Sequence, residues 1–455
     1  MADHEAADRP LPLKQRIGYG VGDVGGNMFF TIISFWLLDF FVEKLGLTAA
    51  AAGTAILVGR IWDAVSDPLM GGLSDRTRTP FGRRRPYLLF GGILLVLAMV
   101  VLFLDVDRLG WGQTGLFVWA TGAFILAGTI YTVVFVPYGA LTADLTRTYE
   151  ERTQLTGYRM GFAIVGTLLG AGAFRPVVAA LGGGGGGHTL AAAVFGAIMT
   201  AAILVTVATV RERAGQPGAP PPTRYPLWRS YLQAMRFRPF LTALLPWTLH
   251  MIGITVAASM VPFYFEHIHG RSELESLGSG ALLVTAAIGI VLFVVFRDRV
   301  SKRMAYNAGM AVFGLALVLA FLVGHLDVVL LIALLLVAGF GLSSNYVMPW
   351  SILPDVIDAD ELANGVRREG IFYGLWTFWM KLGLGVAGFV SGAVLTATGY
   401  AAGELQTATA QLGIRLLIGP IPAVFFLAGI LIMSRYPITR ERHAEILSGL
   451  DEARR

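Results

Sequence analysis

Long apolar stretches separated by short polar segments dominate the chain. A helix needs about 20 predominantly apolar residues to cross a bilayer, and the sequence contains twelve stretches of this kind. They lie at about 17–43, 48–75, 86–105, 112–142, 153–181, 189–210, 237–266, 275–296, 303–324, 327–354, 369–399 and 411–434. The pattern predicts an all-α membrane protein with twelve transmembrane helices.

Positive charges alternate from one predicted loop to the next. With a cytoplasmic N-terminus, the inward-facing segments hold 27 of the 35 Lys and Arg residues. The outward loops hold only three, which are Lys44, Arg108 and Arg271. This asymmetry follows the positive-inside rule. An odd number of spans would destroy the alternation, so both termini are predicted to be cytoplasmic.

Composition agrees with a membrane protein. Hydrophobic residue types make up 55% of the 455 residues and charged types 14%, whereas a soluble domain carries about 25% charged residues. The net charge of +5 resides on the predicted cytoplasmic face and does not indicate nucleic-acid binding. The chain has 0 cysteines, which excludes disulfides, thiolate metal sites and cysteine nucleophiles. The polar first 16 residues precede an apolar stretch too long for a signal peptide, so no cleavable leader is expected.

The longest polar interruption, Arg211–Arg238, divides the twelve stretches six and six. It contains Gln216–Pro222, a Pro-rich run typical of a linker. The predicted domains are an N-terminal six-helix bundle at 1–210, a cytoplasmic linker at 211–236, and a C-terminal six-helix bundle with a cytoplasmic tail at 237–455. Two such halves are typical of an alternating-access transporter with its substrate site between them. The run Gly182–Gly187 is predicted to be a flexible connector.

Three ionisable residues lie inside the second apolar stretch: Arg60, Asp63 and Asp67. Each costs about 2.5–3.5 kcal/mol at a helix centre on insertion scales, which makes it a candidate functional residue. The two aspartates are four residues apart and therefore share a helix face. Together with Ser66 they offer oxygen ligands for a hard cation, or a shared proton. The alternative is a purely structural ion-pair network around Arg60.

Lys381 is the other deep charge, and its hypothesised partner is the Asp63/Asp67 pair. The basic loop Arg76–Arg85 either helps to close the cytoplasmic side or only determines topology. The predicted gating or charge network consists of Arg60, Asp75, Arg83 and Lys381.

Several other motifs point away from enzymes and nucleotide-binding proteins. Gly20–Gly25 matches a dinucleotide fingerprint, but it lies inside the first apolar stretch, where small residues favour close helix packing. No phosphate-binding Gly-Lys-Ser/Thr loop occurs, and the 7 histidines show no metal-ligand spacing. A receptor would normally carry an appended soluble domain. The chain is therefore not predicted to be an enzyme, and no cofactor is expected.

The segment Arg60–Pro68, followed by Gly71, Asp75, Gly82 and Arg85-Pro86, resembles the signature of the glycoside–pentoside–hexuronide:cation symporters. This family, which includes melibiose permease, is a branch of the major facilitator superfamily. Tyr131-Thr132 and Tyr158-Arg159 also match its pattern. The resemblance implies the major facilitator fold, symport coupled to Na⁺ or H⁺, and a monomer. It also implies a cation site, with Na⁺ at Asp63 and Asp67, formed by Asp63, Ser66, Asp67 and Thr132.

The same resemblance bears on the substrate. It places Arg159 and Lys381 near the substrate, whereas two sugar-binding acids of the family fall at Asn27 and Phe135. An amide still binds hydroxyl groups but a phenylalanine does not, so galactoside specificity does not carry over. Tyr158–Met160 is similar to a segment of lysophospholipid symporters.

The expected function is cation-coupled symport of a sugar or glycoside by alternating access. The alternative is symport of a lysophospholipid-like amphiphile. The predicted substrate-binding residues are Asp23, Asn27, Tyr131, Phe135, Arg159, Trp350, Trp376 and Lys381. The expected location is a cell membrane, in contact with the lipid bilayer and without nucleic acid. A bacterial source would make it the inner membrane.

Overall fold

A computed structural model describes residues 11–106, 109–145, 149–210, 227–295, 300–365 and 368–454. Within these ranges, side chains are not described at 75, 143–144, 149–150, 152–153, 227–230, 293–295, 451 and 453–454. Throughout the described residues, every regular element is helical. The all-α prediction is therefore confirmed.

The helices of the first half begin with α1, which is prolonged by two π-helical turns at Ile33–Leu37 and Phe40–Lys44. Another π-helical turn, Leu169–Ala173, joins α5 to α6. The helices are α1 Leu13–Ile32, α2 Ala49–Arg76, α3 Arg85–Leu102, α4 Gln113–Leu145, α5 Tyr149–Leu168, α6 Phe174–Ala180 and α7 Gly184–Thr209.

The second half begins with a short helix that precedes its first long apolar one. A π-helical turn, Ala320–Gly324, extends α11. The helices are α8 Leu227–Arg236, α9 Arg238–His267, α10 Glu275–Val295, α11 Lys302–Leu319, α12 Val328–Asn364, α13 Glu369–Ala397, α14 Ala408–Ile418, α15 Pro420–Met433 and α16 Arg440–Arg454.

Among the described residues, ten helical segments are long and apolar enough to cross a membrane. They coincide with the third to twelfth predicted spans. The first two predicted spans coincide with α1 and α2, which carry buried charges and are not among the ten. Twelve spans and cytoplasmic termini therefore stay a prediction.

Large apolar side chains line the outside of these helices. Phe90 on α3 is 68% exposed and Val424 on α15 is 67% exposed, with many similar residues on other helices. Extensive apolar surface is rare on soluble monomers. A lipid environment removes the cost of exposing it, which agrees with the spans inferred from the sequence.

Helix ends carry recognisable capping chemistry. Asp327 caps α12, its side chain accepting hydrogen bonds from the backbone N–H of Val329 and Leu330. Gly365 ends the same helix with a left-handed φ of +70°, a conformation that glycine adopts at little cost. Side-chain oxygens of this kind satisfy N–H groups that have no partner inside the helix.

The glycine run contradicts one prediction. Gly182–Gly187 does not form a loop throughout, because α7 begins at Gly184 and includes the rest of the run. A Cβ atom at Gly187 would crowd the Val178 carbonyl oxygen. The missing side chain therefore lets the first turn of α7 pack closely against α6.

The chain forms two compact units. The described residues of Met1–Leu47 and Val58–Ala219 form the first, and those of Thr48–Leu57 and Pro220–Arg455 form the second. In the first unit α1 packs mainly against α5 and α7, and α3 against α4 and α7; in the second, α12 packs against α10 and α11, and α9 against α13 and α15. Residues 211–226 of the predicted linker lie outside the described part, so its boundaries stay a prediction.

Candidate transport site

Helix α2 carries a buried ion pair. Arg60 is 2% exposed and Asp63 is 4% exposed, and Arg60 Nη1 lies 3.2 Å from Asp63 Oδ2. The guanidinium also lies over the rings of Phe30 and Phe124, 5.3 and 5.2 Å from their centroids. A buried arginine is stabilised by a carboxylate and by aromatic faces of this kind. The structure therefore contains the Arg60 ion pair that the structural alternative expected.

The second aspartate of α2 reaches a different helix. Thr132 on α4 donates a hydrogen bond of 2.7 Å from Oγ1 to Asp67 Oδ1. Ser66, between the aspartates, donates to the main-chain carbonyl of Asp63 at 3.3 Å. The structure thus brings Asp67 and Thr132 together, while the Ser66 hydroxyl bonds to its own helix.

Asp63 also lies against α4. A Cβ atom at Gly128 would overlap its carboxylate, so only glycine at this position allows the close approach. The group offers two carboxylates and a threonine hydroxyl, all oxygen ligands. Oxygen ligands are those that hard cations prefer.

A second charge pair, between the buried Asp23 and the half-buried Arg159, joins α1 to α5. Arg159 donates from Nε to Asp23 Oδ2 at 2.6 Å and from Nη2 to Asp23 Oδ1 at 3.2 Å. This two-point geometry matches the planar fork of a guanidinium to a carboxylate. Asp23 and Arg159, both predicted from the sequence as substrate-binding residues, are therefore held together within the first unit.

Two tyrosines surround this pair. Tyr19 and Tyr138 contact each other with ring centroids 4.7 Å apart, and the Arg159 guanidinium lies 5.6 and 5.2 Å from their centroids. The Tyr138 hydroxyl lies 2.8 Å from Asp23 Oδ2, and Arg159 Nη1 donates to Thr142 Oγ1 at 3.2 Å. The cluster fixes the orientation of Arg159 by hydrogen bonds and ring contacts together.

The other predicted residues of the first unit lie on the neighbouring turns. Asn27 donates to the Asp23 carbonyl at 3.0 Å, which engages its amide nitrogen inside α1. Tyr131 stacks on Phe29 and on Phe135, with centroids 4.6 and 4.4 Å apart. These rings form an apolar wall beside the Asp23–Arg159 pair.

Three predicted residues lie in the second unit. Trp376 is 1% exposed on α13, and Trp350 is 42% exposed on α12. Lys381 is 4% exposed on α13. The proposed partnership of Lys381 with Asp63 and Asp67 stays a prediction.

The predicted gating residues are less fully defined. Arg83 is half-buried in the turn between α2 and α3, and the side chain of Asp75 lies outside the described residues. Their gating role stays a prediction.

Tyr19, Gly128, Tyr138 and Thr142 were not among the predicted site residues. A signal for two of them, Tyr138 and Thr142, exists in the sequence, because Tyr131, Phe135, Tyr138 and Thr142 recur at spacings of four, three and four. Such spacing places them on one face of α4. Gly128 had no comparable signal, because its role depends on contact with another helix.

An all-helical membrane chain whose interior holds paired charges, tyrosines and hydroxyls has the features of a transporter. Residues 18–440 match the family described as MFS/sugar transport protein. The chain belongs to this family, within its glycoside–pentoside–hexuronide:cation symporter branch. The resemblance stated from the α2 motif is confirmed.

Relatives that align with this chain over nearly their whole length support this assignment. The chain is 30% identical to the uncharacterized symporter sll1374 of Synechocystis sp., with 96% of each chain covered. It is 29% identical to the putative glycoside/cation symporter YagG of Escherichia coli, covering 95% of this chain and 93% of the relative. The solved D-xylose–proton symporter matches with a TM-score of 0.67 at 16% identity, over 93% of this chain and 98% of that one. This last match shows the shared fold.

The protein is therefore a multi-pass membrane protein of a sugar-transport family. Because the family consists of transporters, its membership also supports the prediction that the chain is not an enzyme. The comparisons give no support to the lysophospholipid alternative.

Proposed function

We propose that the protein is a secondary active transporter that moves a sugar or glycoside together with Na⁺ or H⁺. It does so by alternating access, as a monomer with twelve membrane spans and both termini in the cytoplasm. No cofactor takes part beyond the coupling ion. The substrate is a small polar molecule, and the bilayer is the only other partner.

The observation that carries the proposal is the hydrogen bond between Asp67 and Thr132 across α2 and α4. This bond brings oxygen ligands together beside the Arg60–Asp63 pair. The charges of α2 cost free energy when the helix inserts into a membrane. In a sugar-transport family, binding of a coupling ion explains why such costly charges lie in this helix. Asp63, Asp67 and Thr132 would bind the cation, and Ser66 would stabilise the helix turn between the aspartates.

Helix α4 offers a route by which the cation affects substrate binding. Thr132 contacts Asp67, while its chain neighbour Tyr131 stacks within the aromatic wall beside Asp23 and Arg159. A cation that alters the Asp67–Thr132 bond therefore changes the helix that forms the substrate wall. Coupling of this kind is reciprocal: the cation strengthens substrate binding, and the substrate strengthens cation binding.

The test uses purified protein in liposomes and a panel of radiolabelled monosaccharides and methyl glycosides. An inward Na⁺ gradient and an inward H⁺ gradient are imposed separately. One of them should accelerate accumulation of a panel sugar, and Asp67→Asn should remove the acceleration while leaving the helical circular dichroism spectrum intact. Asp327→Asn is the matched control, because that carboxylate caps α12 outside the candidate site.

Two results would contradict the proposal at different levels. Full gradient-driven uptake by both Asp63→Asn and Asp67→Asn would overturn the cation site while leaving sugar transport standing. If neither gradient drives any sugar of the panel into wild-type liposomes, the proposed function itself is overturned.

A further inference from the structure

A row of aromatic rings runs through the second unit. Trp247 on α9 stacks on Trp376 of α13, with centroids 5.7 Å apart and planes inclined by 11°. The Trp350 ring of α12 meets the same Trp247 at 5.9 Å and 71°. Three helices thus place three indoles side by side.

Two of these indoles are buried with their polar atom unused. Trp247 is 3% exposed and Trp376 is 1% exposed. Neither Nε1–H has a hydrogen-bond partner among the residues that the structure describes. An indole N–H can only donate, and burying a donor without an acceptor costs free energy. Acceptor atoms on a bound ligand would satisfy both donors.

Tryptophans of the first unit differ in this respect, because the half-buried Trp119 also has no partner for its N–H among the described residues, whereas the fully buried Trp36 has one. Trp36 is 0% exposed, and its Nε1–H donates to the Gly170 carbonyl at 2.9 Å. That bond ties α1 to the π-helical turn after α5. Complete burial of an indole is therefore compatible with a satisfied N–H in this protein, and the Trp247–Trp376 stack departs from that arrangement.

We propose that Trp247 is a further substrate-binding residue, and that it acts with Trp376 by donating both indole N–H groups to oxygen atoms of the sugar. The ring of Trp350, 42% exposed, would lie against the apolar C–H face of the same sugar. Tryptophan suits this role because it presents an apolar ring and one polar tip. The ligand class is a hydroxylated ring whose oxygens accept hydrogen bonds.

Because both N–H groups are covered in this structure, the sugar reaches them in another state of the transport cycle. A protein that exchanges between states binds a ligand in the state that exposes its partners. This role rests on the proposed function, since alternating access supplies that second state.

The test compares three conservative variants. Trp247→Phe and Trp376→Phe keep an aromatic ring and remove the N–H, whereas the control Trp36→Phe removes an N–H that already has a protein partner. Without ligand, Trp247→Phe should melt within about 1 °C of wild type, and Trp36→Phe should melt at least about 2 °C lower. Circular dichroism at 222 nm follows the melting.

Affinity provides the second measurement. Equilibrium dialysis uses the α- and β-anomers of 4-nitrophenyl glucoside, galactoside, xyloside and glucuronide as probes. For each probe that wild type binds, Trp247→Phe should raise Kd about tenfold, the effect of one lost hydrogen bond. Trp376→Phe should act similarly, and Trp36→Phe should leave Kd unchanged.

The outcomes separate the inference from the function on which it rests. The assignment of Trp247 to the substrate site would be overturned if Trp247→Phe bound the probes with wild-type Kd values. It would also be overturned if ligand-free Trp247→Phe lost as much stability as Trp36→Phe. The same results would leave sugar transport standing. If wild type binds none of the eight probes and transports none, the proposed function and the role of Trp247 both fail.

Discussion

Two Arg–Asp pairs of the first unit use the same chemistry in different settings. Arg60 and Asp63 are three residues apart on α2, with one contact of 3.2 Å. Arg159 and Asp23 join two helices through two hydrogen bonds. The first pair leaves its carboxylate close to the candidate cation site. The second joins α1 to α5 beside the aromatic wall of Phe29, Tyr131 and Phe135.

The contribution of the Arg60–Asp63 pair to stability can be measured directly. Arg60→Met leaves a buried carboxylate without its guanidinium partner, which should cost about 3–5 kcal/mol of stability. Adding Asp63→Asn to Arg60→Met should restore much of the loss, because the isolated charge is then gone. Thermal unfolding of the two variants measures the difference. Equal stability of the single and double variants would show that the pair contributes little.

The tyrosine hydroxyl beside Asp23, that of Tyr138, should contribute more to stability than that of Tyr131, two turns away on α4. The Tyr138 hydroxyl lies 2.6 Å from the Tyr19 carbonyl oxygen and 2.8 Å from Asp23 Oδ2. Tyr138→Phe removes this donor from buried acceptors and should cost about 1–3 kcal/mol. Tyr131→Phe should change stability by much less, because the Tyr131 ring packs among phenylalanines. Matching losses in melting temperature would refute the special role of Tyr138.

The sequence predicted which charges are important but not how they pair. Spacing alone placed Asp63 and Asp67 on one face of α2, and the structure keeps them on adjacent turns. Spacing could not indicate that Asp67 meets Thr132, because the two residues are 65 positions apart, and only the family resemblance placed them in one site. The partner of Asp23 was hidden for the same reason.

At the scale of helices, close packing in the first unit depends on glycine. Gly166 on α5 lies against the backbone of Val24 on α1, and a Cβ atom there would overlap the Val24 carbonyl. Gly161 on the same helix has open space around it. Helix α5 thus contains one tightly packed glycine, Gly166, and one unpacked glycine, Gly161, that serves as a control for substitution.

Substitution by alanine should therefore have opposite effects at these two positions. Gly166→Ala should force α1 and α5 apart and cost about 1–3 kcal/mol. Gly161→Ala should be neutral or stabilise by up to about 1 kcal/mol, because alanine favours the helix more than glycine does. Melting curves of the two variants in one detergent check this. A Gly166→Ala protein as stable as wild type would mean that the helices adjust freely.

Helix positions were predictable from apolar periodicity, but helix ends were not. The predicted span 327–354 corresponds to α12, which continues to Asn364 through Pro349 and Pro354. Proline normally interrupts a helix by removing an N–H and crowding the preceding turn. Neighbouring helices in a membrane protein can compensate for the lost bonds, and local sequence carries no sign of that support.

At the scale of the whole molecule, the distribution of Lys and Arg makes a prediction about orientation. Since the chain has 0 cysteines, each introduced cysteine is a unique label site. A membrane-impermeant maleimide applied to intact cells should label Ser272→Cys and Glu404→Cys, which lie in loops predicted to face outward. It should label Thr79→Cys and Ser448→Cys only after permeabilisation. Labelling of Ser448→Cys in intact cells would refute the cytoplasmic C-terminus.

The position of helix α2 affects how the protein can be expressed as two fragments. Its first residues belong to the second unit, where the Ala50 N–H donates to Thr396 Oγ1 at 2.9 Å and Gly392 packs on the Ala49 carbonyl. A fragment that starts after residue 226 therefore lacks part of the surface that covers α13. Two separately expressed fragments cut at the central linker are not equivalent to the two units. They should fold properly only when produced together, with α2 supplied in trans.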